Sequence, residues 1–296
     1  MRERKPTTLV LCVIFVLLSV GITATSYGES VLDKIGRTGK ITIGHREGAI
    51  PWGFYDKKGN WGGFSLDMGK CLVRDLEKKF NKPIEYVKKP INPKTRIPLV
   101  ANRTVDIVMG CTTITLAREE VIDFTFPFYA DGTQLLVRKG SGIRGFADVG
   151  GKRVGVARGT SINIKSLNKA IESGIINPPC EMVLFEDHTR GFLGLKQGKT
   201  VAHFTNTSLL SGLRQKAPDP GNWEIVGSLG DYEPYGYIVP QNDSKWRDFV
   251  NTFLIGMIKT GEFYKIYDKW MGPKGEVYIP MSEGYKTFLK VMRFPE

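Results

Sequence analysis

Cysteine is sparse in this chain, four residues in 296. That argues against a scaffold held by many disulfides, and no two cysteines have the spacing of a metal site. Acidic residues are outnumbered by basic ones, 30 against 42, which leaves a formal charge of +12. No basic stripe with interleaved aromatics accompanies that charge, so nucleic acid is not an expected partner. Beyond the N-terminus no segment is long and apolar enough to span a bilayer. A nucleophile elbow is missing too. Gly198, Lys199 and Thr200 match the tail of a phosphate-binding loop, but Leu193 stands where its first glycine belongs. Neither a metal nor a cofactor is expected.

The N-terminus has the three parts of a secretory leader. Arg2, Arg4 and Lys5 precede an unbroken apolar run from Leu9 to Leu18, and small or polar residues follow as far as Ser26. Residues 1–28 are therefore read as a signal peptide, cleaved near Ser26 to Gly28, and the mature chain as a soluble, monomeric periplasmic protein. Removing the leader takes away a net charge of +2, three basic residues and Glu3, and leaves about +10. Such a surface suits steering of a small anion or attraction to a membrane surface. Cys71, Cys111 and Cys180 remain, enough for one disulfide and a spare thiol, or simply three small buried hydrophobes.

Short apolar runs alternate with amphipathic stretches along the mature chain. Strands are predicted at Ile41 to Gly44, Ile84 to Val87 and Ile107 to Met109, with helices over Ser65 to Phe80 and Thr95 to Asn102 between them. In the longer helix Leu66, Gly69, Leu72, Leu76 and Phe80 recur at spacings of three and four. This βαβαβ order implies a mostly parallel sheet covered by helices. The pattern then restarts at Arg153 and runs to Lys216. Two apolar runs, Gln134 to Val137 and Tyr235 to Val239, read as strands crossing between the units. The expected organisation is a first lobe from 29–135 and 237–296 around a second lobe from 136–236, with a ligand cleft between hinged lobes.

Several stretches resemble one family: GHREGAIPWGFYD (44–56), GGFSLDMG (62–69), RIPLV (96–100), DIVMGCTTITLAREEVIDFTFPFY (106–129), FADVGGKRVGVARGTS (146–161), EDH (186–188), NWEIVG (222–227) and EPYGYIVP (233–240). In this order they resemble the family 3 extracellular solute-binding proteins of polar amino-acid ABC transporters, most of all the glutamate/aspartate-binding branch. The resemblance implies the two-lobed periplasmic-binding-protein fold (type II) and a non-enzymatic role. A small anionic solute would be captured by cleft closure and passed to the membrane permease subunits of an ABC transporter. By the same resemblance Arg118 grips the ligand's α-carboxylate, while Arg46, Arg96 and His188 hold its side-chain carboxylate. Thr113 completes the first grip, and Thr160 and Ser161 offer a helix N-terminus to the anion. Cys111 and Asn206 fall at further ligand positions. Trp52 and Phe54 are candidates for a wall along the ligand's aliphatic part, or for ordinary packing.

Physical chemistry supports the arginines. A guanidinium presents a planar fork that matches a carboxylate, and three facing one cleft repel one another unless a dianion balances them. The chain departs from the family at Asn206 and Thr207, where an acid often neutralises the ligand's ammonium, and at Cys111, where serine is usual. The missing acid keeps open a dicarboxylate without an amine. A lyase like cyclohexadienyl dehydratase, on the same fold, is a further alternative. It needs a general acid in the cleft, and the expected position carries Asn206.

Overall fold

The computed structural model describes residues 28–230 and 232–294. Apart from Gly28, the expected leader lies outside them. Helix α1 (Val31–Thr38) and strand β1 (Lys40–Arg46) open the first unit. Three short strands, β2 (Gly48–Ala49), β3 (Gly53–Tyr55) and β4 (Trp61–Gly62), make a small antiparallel sheet. Then come α2 (Phe64–Phe80), β5 (Glu85–Ile91), α3 (Arg96–Ala101), β6 (Ile107–Thr113), α4 (Leu116–Glu119) and β7 (Ile122–Phe124). Strand β8 (Tyr129–Arg138) carries the chain out. The second unit runs β9 (Arg153–Ala157), α5 (Ser161–Glu172), β10 (Glu181–Phe185), α6 (His188–Lys196), β11 (Ala202–Asn206), α7 (Thr207–Gln215) and β12 (Trp223–Val226). Strand β13 (Tyr232–Pro240) brings the chain back to α8 (Ser244–Lys259), α9 (Glu262–Met271) and α10 (Glu283–Val291).

The result is the two-lobed α/β architecture that the alternating pattern implies. One sheet runs through both units in the order β10-β9-β11-β8-β13-β6-β1-β5, with β12 beside β8 and β7 beside β13. Within each unit the strands are parallel: β5 and β6 flank β1, and β10 and β11 flank β9. The two crossing strands are antiparallel to their neighbours and to each other, with Tyr129 to Gly132 facing Tyr232 to Tyr235. They are longer than the apolar runs alone indicate. The extra residues at their starts include the polar Asp131, Thr133 and Glu233, which the hydrophobic pattern does not register.

Each unit has its own core. Ile41, Ile43, Met68, Leu72, Leu76, Ile107 and Met109 are buried in the first; Val154, Val156, Leu167 and Phe204 in the second. On α2 the predicted stripe is the buried face, and Gly69 lies where an added Cβ would come within 2.5 Å of the Tyr86 hydroxyl. Strand alternation sorts two neighbours on β1. His45 turns toward α2 and bonds Tyr86 through Nε2 at 2.6 Å, and burial pushes its pKa down to about 3. Arg46 turns toward the cleft. Cys71, Cys111 and Cys180 are free thiols.

Asp243 ties the start of the chain to its end. Its side chain caps α8 by accepting from Trp246 N, and it also accepts from the Ser30 hydroxyl and the Val31 amide at the start of α1, both at 2.7 Å. Because a buried carboxylate here satisfies donors of two helix starts, Asp243→Ala is expected to lower stability by about 2–4 kcal/mol. Urea unfolding checks this, and a loss below about 1 kcal/mol would show that the double cap matters little.

Candidate functional site

The parallel strands of both units point their C-terminal ends at one cleft, where open α/β sheets place ligands. Arg46 is the last residue of β1, and Cys111 and Thr113 end β6. Arg96 opens α3, and Arg118 lies on α4. Across the cleft, Thr160 precedes α5, His188 opens α6 and Asn206 ends β11. These eight side chains, with Ile162, Asn163 and Leu209, line one cavity. It is tight: about 10 Å³ is open to the centre of a water-sized sphere, roughly the room for one water. Anything larger enters only when the units part. A roomier surface groove, between Phe54 to Lys58 and Gln215 to Ala217, carries charges of both signs, and its Lys216 is paired with Glu276.

All three arginines are buried, with relative exposures of 3%, 4% and 6% for Arg46, Arg96 and Arg118. None forms an ion pair among the described residues. Carbonyls hold two of them: Arg96 donates to Cys111 O at 3.3 Å and to the Thr112 hydroxyl at 3.1 Å, and Arg118 donates to Thr113 O. Arg96 Nε and Arg118 Nε have no partner. Burial, then the charges of Arg118 and Arg46, push the Arg96 pKa well below its ordinary range. Burial lowers that of Arg118 as well, against the pull of Glu233. A guanidinium keeps its proton in proteins, so these shifts express an unmet demand for negative charge.

The second unit brings neutral groups. Burial, then Arg46, His203 and Arg96, hold His188 well below the usual histidine range. Its Nδ1 lies 3.4 Å from Nε2 of the equally buried His203. Thr160 occupies the N-cap of α5, but its hydroxyl donates to Ala157 O and caps nothing. Ser161 is at the rim, not in the lining, and its hydroxyl accepts from Arg118 Nη2 at 3.4 Å. Burial raises the Cys111 thiol pKa against the pull of Arg46 and Arg96, which keeps it protonated.

Trp52 does not form a wall. It is fully buried among Phe64, Phe128, Tyr129 and Tyr235, with ring centroids 4.9–6.1 Å away, and its indole N–H donates to Ser208 Oγ at 2.9 Å. Such a ring gains most by burial once its single donor is satisfied. Phe54 packs on Trp270 instead. The apolar part of the lining comes from Ile162 and Leu209.

Two polar residues were missed by the sequence reading. Asn163 is 3% exposed, lines the cavity one turn into α5, and its amide nitrogen has no partner. Its place three residues after Thr160 was the available signal. Glu233 sits behind the lining, where its Oε2 accepts from Thr113 Oγ1 at 2.6 Å and from Asn206 Nδ2 at 2.8 Å. It stands in the stretch EPYGYIVP, but nothing local shows what lies opposite a crossing strand.

A family profile for bacterial extracellular solute-binding proteins, family 3, matches residues 41–273. The glutamate/aspartate import solute-binding protein of Escherichia coli (strain K12) is 36% identical over 91% of this chain and 89% of its own length. The L-glutamate/L-aspartate-binding protein of Pseudomonas aeruginosa (strain PAO1) is 33% identical over 96% of this chain and 95% of its own. Among solved structures, an ancestral amino-acid-binding protein, described as a precursor of cyclohexadienyl dehydratase, superposes with a TM-score of 0.68 at 26% identity, covering 82% of this chain and 99% of that one. The chain belongs to the family 3 bacterial extracellular solute-binding proteins.

Because His188 is buried beside two guanidiniums when the two units are closed, its ring is expected to stay neutral in that arrangement through pH ~5–8, where an ordinary histidine titrates. NMR of the imidazole resonances checks this; a midpoint inside that window would contradict the burial.

Proposed function

We propose that the chain is the periplasmic solute-binding component of an ABC transporter and captures L-glutamate or L-aspartate by closure of its two lobes, 29–135 with 237–296 and 136–236. One observation carries the reading: three buried guanidiniums meet at one cleft between the two units, and none of them forms an ion pair among the described residues. A ligand with two carboxylates supplies what they lack. Arg118, with Ser161, takes the α-carboxylate, since the Thr113 hydroxyl that the resemblance assigns to this grip already gives its proton to Glu233. Arg46, Arg96 and His188 take the distal one, and the unpartnered Asn163 amide offers another donor. The leader, residues 1–28, takes the chain to the periplasm, where it acts as a monomer and hands its ligand to membrane permease subunits.

The names of the relatives favour acidic amino acids over amine-free dicarboxylates. The lyase reading is weaker, because no carboxyl group among the described residues lines the cavity to act as general acid and His188 is held neutral.

Binding then proceeds in two stages. The anion docks on the arginines of the first lobe, steered by positive potential, and the second lobe closes over it. Closure is sterically exact at glycines. A Cβ on Gly212 of α7 would lie 2.3 Å from Ile50 O, and one on Gly159 2.7 Å from the backbone of Pro93 and Lys94. Charge-assisted hydrogen bonds contribute roughly 1.5–3 kcal/mol each. After desolvation and closure costs a net of about 8 kcal/mol, near micromolar affinity, is expected.

A thermal-shift screen of the mature protein against amino acids and dicarboxylates tests the reading, since a ligand of the folded state raises the melting point. Glutamate and aspartate are expected to do so; no shift with either would overturn it. Arg118→Ala is expected to weaken binding by about 3 kcal/mol or more in titration calorimetry, because it strands a buried carboxylate. Gly212→Ala separates closure from stability. Alanine favours a helix by up to about 1 kcal/mol over glycine, so the melting point should hold while affinity falls. Small-angle scattering in saturating glutamate should show that the variant fails to contract as the wild type does.

A further inference from the structure

An amino-acid ligand brings an ammonium into a cavity that already holds three guanidiniums and has no acid among the described residues of its lining. A cation buried there needs a counter-charge. Two acids lie close behind, opposite each other on the crossing strands: Asp131 on β8 and Glu233 on β13. Asp131 is engaged elsewhere. It is fully buried and accepts from the Ser208 amide, the Ser208 hydroxyl and the Tyr235 hydroxyl, on the side of Trp52. Glu233 is 5% exposed, and its Oε1 has no partner.

The bonds of Glu233 decide what its neighbours offer. A carboxylate only accepts, so both contacts to its Oε2 are donations toward it. The Thr113 hydroxyl spends its single proton on Glu233 and is left with lone pairs. Asn206 must turn its NH₂ to Glu233, which leaves its carbonyl oxygen as the free end. Thr113 and Asn206 both line the cavity, one from each unit. Glu233 thus converts two side chains of mixed character into acceptors and adds a negative charge behind them.

We propose that Glu233 is a positioning residue that supplies the counter-charge for the ligand's ammonium through Thr113 and Asn206, and so sets the preference for an amino acid over the amine-free dicarboxylate. This replaces the expectation that Asn206 leaves the ammonium without a partner charge, and it rests on the acidic amino-acid reading above. The acid that relatives often carry beyond β11 is moved, on this account, to the returning strand.

Titration calorimetry with L-glutamate and glutarate, which lacks only the amine, reads the preference directly. Wild type is expected to favour glutamate. Glu233→Gln keeps the shape but removes the charge, and is expected to cut glutamate affinity by about ten- to a hundredfold, the size of one charge-assisted hydrogen bond, with little change for glutarate. A loss shared equally by both ligands, or an unchanged ratio, overturns the proposal. Asn206→Asp in the Glu233→Gln background returns a carboxylate to the pocket and should restore the preference. Asn206→Asp alone gives a test that does not need Glu233→Gln to fold. Beside an intact Glu233 it sets two acids in contact, and the preference should not sharpen; a gain of about tenfold would mean that no counter-charge was there before. Wild-type protein that binds neither glutamate nor aspartate overturns the amino-acid reading, and this proposal with it. Wild type that binds glutamate and a Glu233→Gln variant that keeps the preference overturn this proposal alone.

Discussion

Repulsion among Arg46, Arg96 and Arg118 is the constraint around which the cleft is organised. Two unit charges about 4 Å apart interact by roughly 4 kcal/mol at the effective dielectric of a protein surface, and more where water is excluded. No protein carboxylate ion-pairs with the three arginines among the described residues, and Glu233 offsets the charge of Arg118 only in part. Carbonyl oxygens steady Arg96 and Arg118 without cancelling their charge. The groups contributed by the second unit follow the same logic. His188 is held neutral, and Asn163 and Thr160 bring dipoles instead of ions; the Cys111 thiol of the first unit is held neutral as well. Charge balance is thereby left to an anion.

The sheet makes this convergence possible. Each unit's parallel strands direct their C-terminal ends one way, and the antiparallel pairings between the two sets give them opposite directions, so side chains 160 residues apart in sequence, Arg46 and Asn206, reach the same space. The antiparallel crossing strands between the two parallel sets keep the sheet continuous while allowing each unit a separate core. Their starts are polar where the cores end, and there Asp131, Ser208, Tyr235 and Trp52 form a buried hydrogen-bonded chain. Burial raises the Asp131 pKa to about 6, although its partners pull the other way.

Much of this was legible in the sequence, for reasons particular to each part. The α2 stripe and the strand–helix alternation are local periodicities, and they survive intact. The arginines stood out through motifs that recur in one order, and the fold brings them to one cavity. Trp52 was ambiguous because an aromatic near a strand end packs inward or outward according to partners far away in sequence, such as Tyr235. Glu233 was invisible as a site residue for a related reason. Its strand was recognised by apolar alternation, whereas its role depends on Thr113 and Asn206, 120 and 27 positions away.

The Asp243 clasp bears on how the molecule comes to exist. Its bonds to Ser30 and Val31 span 213 and 212 positions, and Trp246, Phe253 and Phe263 complete the core that Ile35 and Leu72 begin. The first unit therefore cannot close its interior until the last fifth of the chain has emerged, while the second is one uninterrupted stretch. A contiguous unit pays a smaller loop-closure entropy than one assembled from distant segments. Connectivity alone thus gives assembly a direction: the inserted half can mature by itself, and the half that bears the arginines is finished last.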